Sequence, residues 1–283
     1  MSGDCTFRNG LAAVALHSPD GANAVVTLHG GHVVSWIPAG SIEEQLYLSP
    51  TSAFGGGKAI RGGVPVIFPQ FSDRGPLVRH GFARICTWKL LNSGVDAQGA
   101  FARLCLSDDD ETRALWRHAF ELELVVRVEG NGLSMELACH NTGKAPFAFT
   151  CALHTYLRVH DVAQVHVSGL AGLPYRNAVD GTYSNQSDEQ LRVYGELDRV
   201  YQGVSEPLHL IQPVQERTVR VTHGGFQDVV VWNPGPDRAA SLADLASGEW
   251  RNMLCIEAAR IANPVQLEAG QHWAGIQQLN LTA

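Results

Sequence analysis

Apolar and polar side chains alternate with a period of two in many stretches of the chain. In Phe120–Glu129 (FELELVVRVE), one face carries Phe120, Leu122, Leu124, Val126 and Val128. The other carries Glu121, Glu123, Arg127 and Glu129. Such alternation marks a strand with one face buried and one in water. Gly130, Asn131 and Gly132 follow, residue types that turn tightly, and LSMELACHN then places Leu133, Met135, Leu137 and Cys139 on one face. The pattern predicts a β-hairpin. Further strand-like runs are AVVTL at 24–28, HVVSWIP after Gly30 and Gly31, QLYLS at 45–49, and CTWKLL and FARLCL near 86–91 and 101–106. AQVHVSG, TVRVTHGG and DVVVW come later. Helical periodicity is scarce, and the stretch around 109–117 reads as a short helix or a loop. Many strands separated by Gly, Pro, Asn and Asp predict an all-β sandwich or barrel. With no fixed-period repeat, low-complexity block or proline-rich linker, residues 1–283 are expected to form a single domain.

Two segments break the alternation. Residues 54–84, FGGGKAIRGGVPVIFPQFSDRGPLVRHGFAR, are rich in Gly, Pro, Arg and aromatics. Residues 169–201 are polar and read as irregular until GELDRVY. Long irregular segments in compact domains concentrate function.

Apolar residues make up 45% of the chain and charged residues 17%, enough to bury a sizeable core and to argue against disorder. The net charge of −7 speaks against nucleic acid as a partner, since a phosphate backbone attracts basic surfaces. A small anion needs only a few local arginines and stays compatible with it. Six cysteines (Cys5, Cys86, Cys105, Cys139, Cys151 and Cys255) show no CxxC spacing. The start, MSGDCTFRNG, shows no basic segment followed by an apolar run, and no apolar stretch has membrane-spanning length. The expectation is free thiols in a reducing cytoplasm.

Several residues could carry chemistry. Arg61, Arg79 and Arg84 sit among glycines and prolines, and a guanidinium fork suits phosphate or carboxylate; structural or surface arginines are the alternative. Gly55-Gly56-Gly57-Lys58 lacks the GxxxxGK[ST] spacing of a phosphate loop. His154 in TCALHTYLRV and His80 in RHGFAR read as general acids or as hydrogen-bonded structural histidines. Glu257 follows Met253, Leu254, Cys255 and Ile256, apolar company in which a carboxylate is costly unless it is paired or used. It reads as a general base of raised pKa or as the partner of Arg260. Asp198 in GELDRVY reads as a turn residue or a ligand-binding carboxylate. The twelve histidines form no HExxH or Cys/His cluster, so no metal is expected, and no GxSxG elbow anchors a hydrolase triad.

Taken together, KAIRGGVPVIFPQF followed by RHGFARICTW resembles the signature of the hexose-6-phosphate mutarotases, or glucose-6-phosphate 1-epimerases, of the aldose 1-epimerase superfamily. GGHVVSWIP, ALHTYLRV, GELDRVY, DVVVWNPG and MLCIEAARIANPVQLEAGQHWAGIQ resemble further blocks of that family in order, across about residues 25–280. The resemblance implies a large antiparallel β-sandwich of the galactose-mutarotase type with a cleft on one sheet. It implies His154 as catalytic acid and Glu257 as catalytic base, facing each other across a pocket one pyranose ring wide. Arg61, Arg84 and Asp198 are implied at the substrate, the arginines on phosphate, with His80 lining the site. The family often has Gln where Arg79 stands, so Arg79 is expected to add a phosphate contact or to change the preferred sugar. Ala258 and Ala259 replace Pro-Gly-like residues after the glutamate, a change of loop shape. The implied partner is a small phosphorylated sugar acted on by a cytoplasmic monomer, without metal or organic cofactor, nucleic acid or membrane. Two other readings stay open: a mutarotase of unphosphorylated aldoses, and a non-catalytic carbohydrate-binding sandwich.

Overall fold

The computed structural model describes residues 3–282, whose regular structure is mostly strand. The first four are β1 (Gly3–Phe7), β2 (Leu11–His17), β3 (Asn23–Thr27) and β4 (His32–Ile37). After the short β5 (Val66–Ile67) come β6 (Lys89–Asp96), β7 (Gly99–Ser107), helix α1 (Asp110–Leu115), β8 (Phe120–Glu129) and β9 (Gly132–Asn141). Next are β10 (Phe147–Leu153), β11 (Tyr156–Arg158), β12 (His166–Ser168), β13 (Pro174–Asn177) and β14 (Tyr183–Asn185). The chain continues through β15 (Leu197–Gln202), β16 (Leu208–Gln212), β17 (Arg217–Gly224) and β18 (Asp228–Asn233). Helix α2 (Gly235–Ala240), β19 (Met253–Leu267) and β20 (His272–Thr282) complete it.

Three sheets result. One is the meander β1-β2-β3-β4; a second runs β12-β16-β17-β20-β9-β8-β7-β6. The third, β14-β13-β15-β18-β19-β10-β5 with β11 also on β19, carries the site and is antiparallel throughout. The alternation seen in the sequence decides which side chains meet between the large sheets. Leu122, Leu124 and Val126 of β8 and Leu133, Met135 and Leu137 of β9 share one core cluster with Val229 and Val231 of β18 and Leu254, Ile256 and Ala258 of β19. Val14, Leu16, Ala24 and Val26 bring the meander into the same core. The opposite parity, Val230, Trp232, Cys255, Glu257 and Ala259, must therefore point to the other face of the site sheet.

The predicted hairpin forms between β8 and β9 with Glu129 opposite Gly132, and Gly130 takes φ 55°, as a primed two-residue turn requires. The stretch around 109–117 resolves as a helix. Asp109 accepts the Thr112 backbone N–H at 2.8 Å while the Thr112 hydroxyl accepts the Asp109 N–H at 2.8 Å, a reciprocal cap. Other expectations need correction. QLYLS forms no strand, only single bridges from Leu46 to Leu157 and Leu48 to Gly62. Residues 169–201 are less irregular than their polarity suggests, since β13 and β14 extend the site sheet there. Tyr175, Arg176 and Asn177 of β13 are half-buried and β14 is exposed, so alternation is hidden.

Residues 54–84 hold the short β5 and the start of a 3-10 turn at Ala83–Ile85; they wrap over the site sheet, and buried polar contacts fix their path. His32 is fully buried and its Nε2 donates to Gly62 O at 2.7 Å. Gly63 has φ 61°, and a side chain there would meet Val33 O at 2.3 Å and His32 Nε2 at 2.7 Å. This lock stands directly beside Arg61. Burial pushes the His32 imidazole down to about 3, against about 6.5 in an unfolded chain. The unfolded state therefore binds more protons between those values, and stability falls as pH falls through that window. His32 alone is expected to cost about 3 kcal/mol of stability between pH 7 and pH 4, read by denaturant unfolding as the difference in pH dependence between the parent and His32→Gln. An equal pH dependence in parent and variant contradicts the buried neutral His32.

Candidate active site

The outward parity of the site sheet forms the floor of a cleft of about 550 Å³, roofed by the irregular segment. Ile67, Phe71, Ala152, Val200, Val230, Ala259 and Ile261 make an apolar patch on this face. His154, Glu257, Arg61, Arg79, His80, Arg84 and Asp198 all line the cleft, so the structure brings together every residue singled out from the sequence.

Strand register explains the central contact. Leu153 pairs with Ala258 and Tyr156 with Cys255, which sets His154 opposite Glu257 and Thr155 opposite Ile256. Directly opposed residues on one face of an antiparallel pair have neighbouring side chains. His154 Nε2 lies 3.3 Å from Glu257 Oε1, with both side chains almost fully buried. The expectation that a pyranose ring fits between them is thus corrected: acid and base touch, and a ring has to lie over the pair. The chemistry agrees, because the anomeric oxygen and the ring oxygen are bonded to the same carbon. Glu257 does not pair with Arg260; its ionic contact is His154.

Burial dominates the electrostatics of the pair. It pushes the Glu257 carboxyl well above the ordinary carboxylate range, and Asp198 adds to this. It pushes the His154 imidazole well below its ordinary value, and Arg61 and Arg84 push the same way. Each group alone favours its neutral form, so the pair together holds one proton. Tyr156 stacks on the His154 ring at 4.8 Å and 10°, and Trp232 meets it edge-on at 5.9 Å. His80, at φ 66°, stands nearly perpendicular to His154 at 5.6 Å. Its Nδ1 accepts the Ser72 N–H at 3.3 Å, which leaves the hydrogen of the neutral ring on Nε2.

The arginines differ in their commitments. Arg61 donates to the Tyr156 hydroxyl at 3.0 Å and pairs with Asp244 at 3.0 Å. Arg79 is half-exposed and pairs with Asp73 at 2.6 Å. Arg84 donates to Arg79 O at 2.6 Å and makes no ion pair among the described residues. Burial foremost, with Arg61 and Arg79 acting the same way, pushes its guanidinium down to about 10. A desolvated cation without a carboxylate is a site awaiting an anion. Asp198 lies within β15 rather than in a turn, and burial pushes its carboxyl up to about 6. Sequence reasoning missed Tyr156, Trp232 and Asp244. The period-two spacing from His154 was the available signal for Tyr156; nothing local marks Asp244, which reaches Arg61 from the segment after α2.

Among the described residues, no group of three or more His, Cys, Asp or Glu side chains is arranged to hold a metal ion, and no helix is long and apolar enough to cross a membrane. All six cysteines are free.

Comparison with known proteins identifies the family. A protein from Cenchrus ciliaris named "Putative glucose-6-phosphate 1-epimerase" is 35% identical over 277 residues, covering 94% of this chain and 84% of that protein. An Escherichia coli K12 protein of the same name is 36% identical over 239 residues, covering 83% and 79%. The crystal structure of a "putative mutarotase (YeaD)" from Salmonella typhimurium superposes with a TM-score of 0.91 at 31% identity, covering 99% of this chain and 93% of that one. The family model described as aldose 1-epimerase matches residues 12–280, and the chain belongs to that family.

Proposed function

We propose that this epimerase interconverts the α and β anomers of a hexose 6-phosphate, glucose 6-phosphate foremost, with Glu257 as base and His154 as acid. The observation that carries the reading is the buried 3.3 Å contact of these two groups, in a cleft that also holds the unpaired guanidinium of Arg84. Names of the relatives support the substrate class.

The mechanism follows from the shared proton. In its reactive form the pair is a carboxylate beside an imidazolium. Glu257 takes the proton from the anomeric hydroxyl, and the C1–O1 bond becomes a carbonyl. The C1–O5 bond breaks, and its electron pair goes to the ring oxygen, which takes a proton from His154. Ring opening thus converts an ion pair into a neutral acid and a neutral imidazole, the forms that burial favours. Rotation about C1–C2 turns the other carbonyl face toward O5. On closure Glu257 returns its proton to O1 and His154 recovers one from O5, so the chain ends unchanged. Arg84, with Arg79 and Arg61 near it, holds the phosphate, and Asp198 accepts from sugar hydroxyls. This remote binding sets C1 over the pair. A carbohydrate-binding module needs no such pair, and an epimerase of plain aldoses needs no desolvated arginine.

Exchange between the anomers of glucose 6-phosphate, followed by two-dimensional NMR, tests the reaction. Glu257→Gln and His154→Asn are each expected to lower turnover by about 10³-fold or more. Full activity of Glu257→Gln removes the assigned base. Arg84→Met is expected to raise KM for glucose 6-phosphate by about 10- to 100-fold and to shrink its advantage over glucose. An unchanged preference in that variant rules out Arg84 as the phosphate ligand.

A further inference from the structure

The ladder between β19 and the His154 strand is broken where the acid–base pair stands. The His154 N–H faces away from β19 and donates to Pro65 O at 3.0 Å, in register with β5, whereas the Thr155 N–H turns back to Leu153 O at 3.0 Å instead of reaching β19. Thr155 and Ile256 are directly opposed, and such a pair in an unbroken antiparallel ladder exchanges two hydrogen bonds. Only one survives, from Ile256 N–H to Thr155 O at 3.1 Å. The carbonyl of Ile256 has lost its strand partner.

That carbonyl is satisfied from the opposing sheet. Gln277 in β20 points into the sandwich core and is fully buried. Its Nε2 donates to Ile256 O at 3.0 Å, and its Oε1 accepts the Thr155 hydroxyl at 2.5 Å. Thr155 is also fully buried. A buried primary amide is costly unless its bonds are made, and here the same side chain makes both of these. It spans the residue after His154 and the residue before Glu257. The amide thus replaces the ladder bond that Thr155 gave up, and it does so directly beneath the reacting groups.

We propose that Gln277 is a positioning residue for the epimerase reaction, bracketing Thr155 and Ile256 so that His154 and Glu257 stay in contact although the strand ladder is broken between them. The proposal rests on the acid–base reading of that pair. Without the bracket, Ile256 O and the Thr155 hydroxyl lose their partners, and the two segments are free to part. Displacements of about 1 Å in a catalytic pair cost up to about 100-fold in rate. The cleft residues that grip sugar and phosphate do not touch Gln277, so the effect falls on turnover and not on affinity.

Gln277→Leu, which keeps the volume and removes both bonds, is expected to lower kcat for anomer exchange about 10- to 100-fold with KM within about threefold of the parent. Thr155→Val removes one bond and is the milder variant should Gln277→Leu fold poorly; it is expected to lower kcat about 3- to 10-fold, with Thr155→Ser restoring it. The double variant Thr155→Val/Gln277→Leu is expected to be no slower than Gln277→Leu alone, since one bracket is lost once. Folded Gln277→Leu or Thr155→Val protein with parental kcat overturns the proposal, as does a loss carried by KM. If these variants turn over normally while Glu257→Gln is dead, positioning fails and the acid–base reading stands. If Glu257→Gln is active, both fail.

Discussion

A carboxyl group and an imidazole buried in contact with each other constrain everything around them. Neither tolerates its own charge there, and together they hold one proton. Burying Glu257 beside Val230 and Ala259 is unfavourable for a carboxylate in isolation. The fold accepts that cost through cross-strand register, which sets His154 opposite Glu257 with no loop between them. A pair made this way is stiff, since each member sits at or beside a strand anchored in the sandwich core. It also suits the substrate, because one anomeric carbon bears both oxygens that must exchange protons.

The surroundings divide the remaining work. The irregular segment brings Arg61, Arg79, His80 and Arg84 over the floor, and its path is set by close backbone approaches. At Gly81, φ is 66° and a side chain would meet Phe68 O at 2.1 Å. The loop thus behaves as a fixed roof despite its lack of secondary structure. Arg61 is tied to Tyr156 and Asp244, while Arg84 keeps its charge uncommitted. Tyr156 in turn stacks against His154, so charge on the arginines and geometry at the imidazole are linked through one aromatic ring.

Much of this was legible in the sequence, for identifiable reasons. The hairpin of β8 and β9 was plain because one face is buried and one wet, which leaves period-two alternation in the text. Glu257 stood out because a lone carboxylate in an apolar run needs an explanation. The segment 54–84 stood out because its glycines and prolines do not fit a regular strand. What stayed hidden depends on contacts between distant residues. QLYLS alternates like a strand, yet its neighbours offer only isolated bridges. The adjacency of His154 and Glu257 follows from a register that no local pattern encodes, and so an opposed arrangement was expected where a touching one exists. Gln277 looks like any polar residue of a strand until its burial and its two partners are known.

The central claim is that His154 and Glu257 titrate as a unit sharing one proton. Nitrogen NMR of the free protein, labelled at histidine and read at the His154 ring between pH 5 and pH 9, tests this most directly. The imidazole is expected to show no independent transition near 6.5 and to keep its signature across that range in the parent protein, because burial keeps the single proton within the pair. An ordinary histidine titration centred near 6.5, with Glu257 remaining ionised throughout, contradicts it.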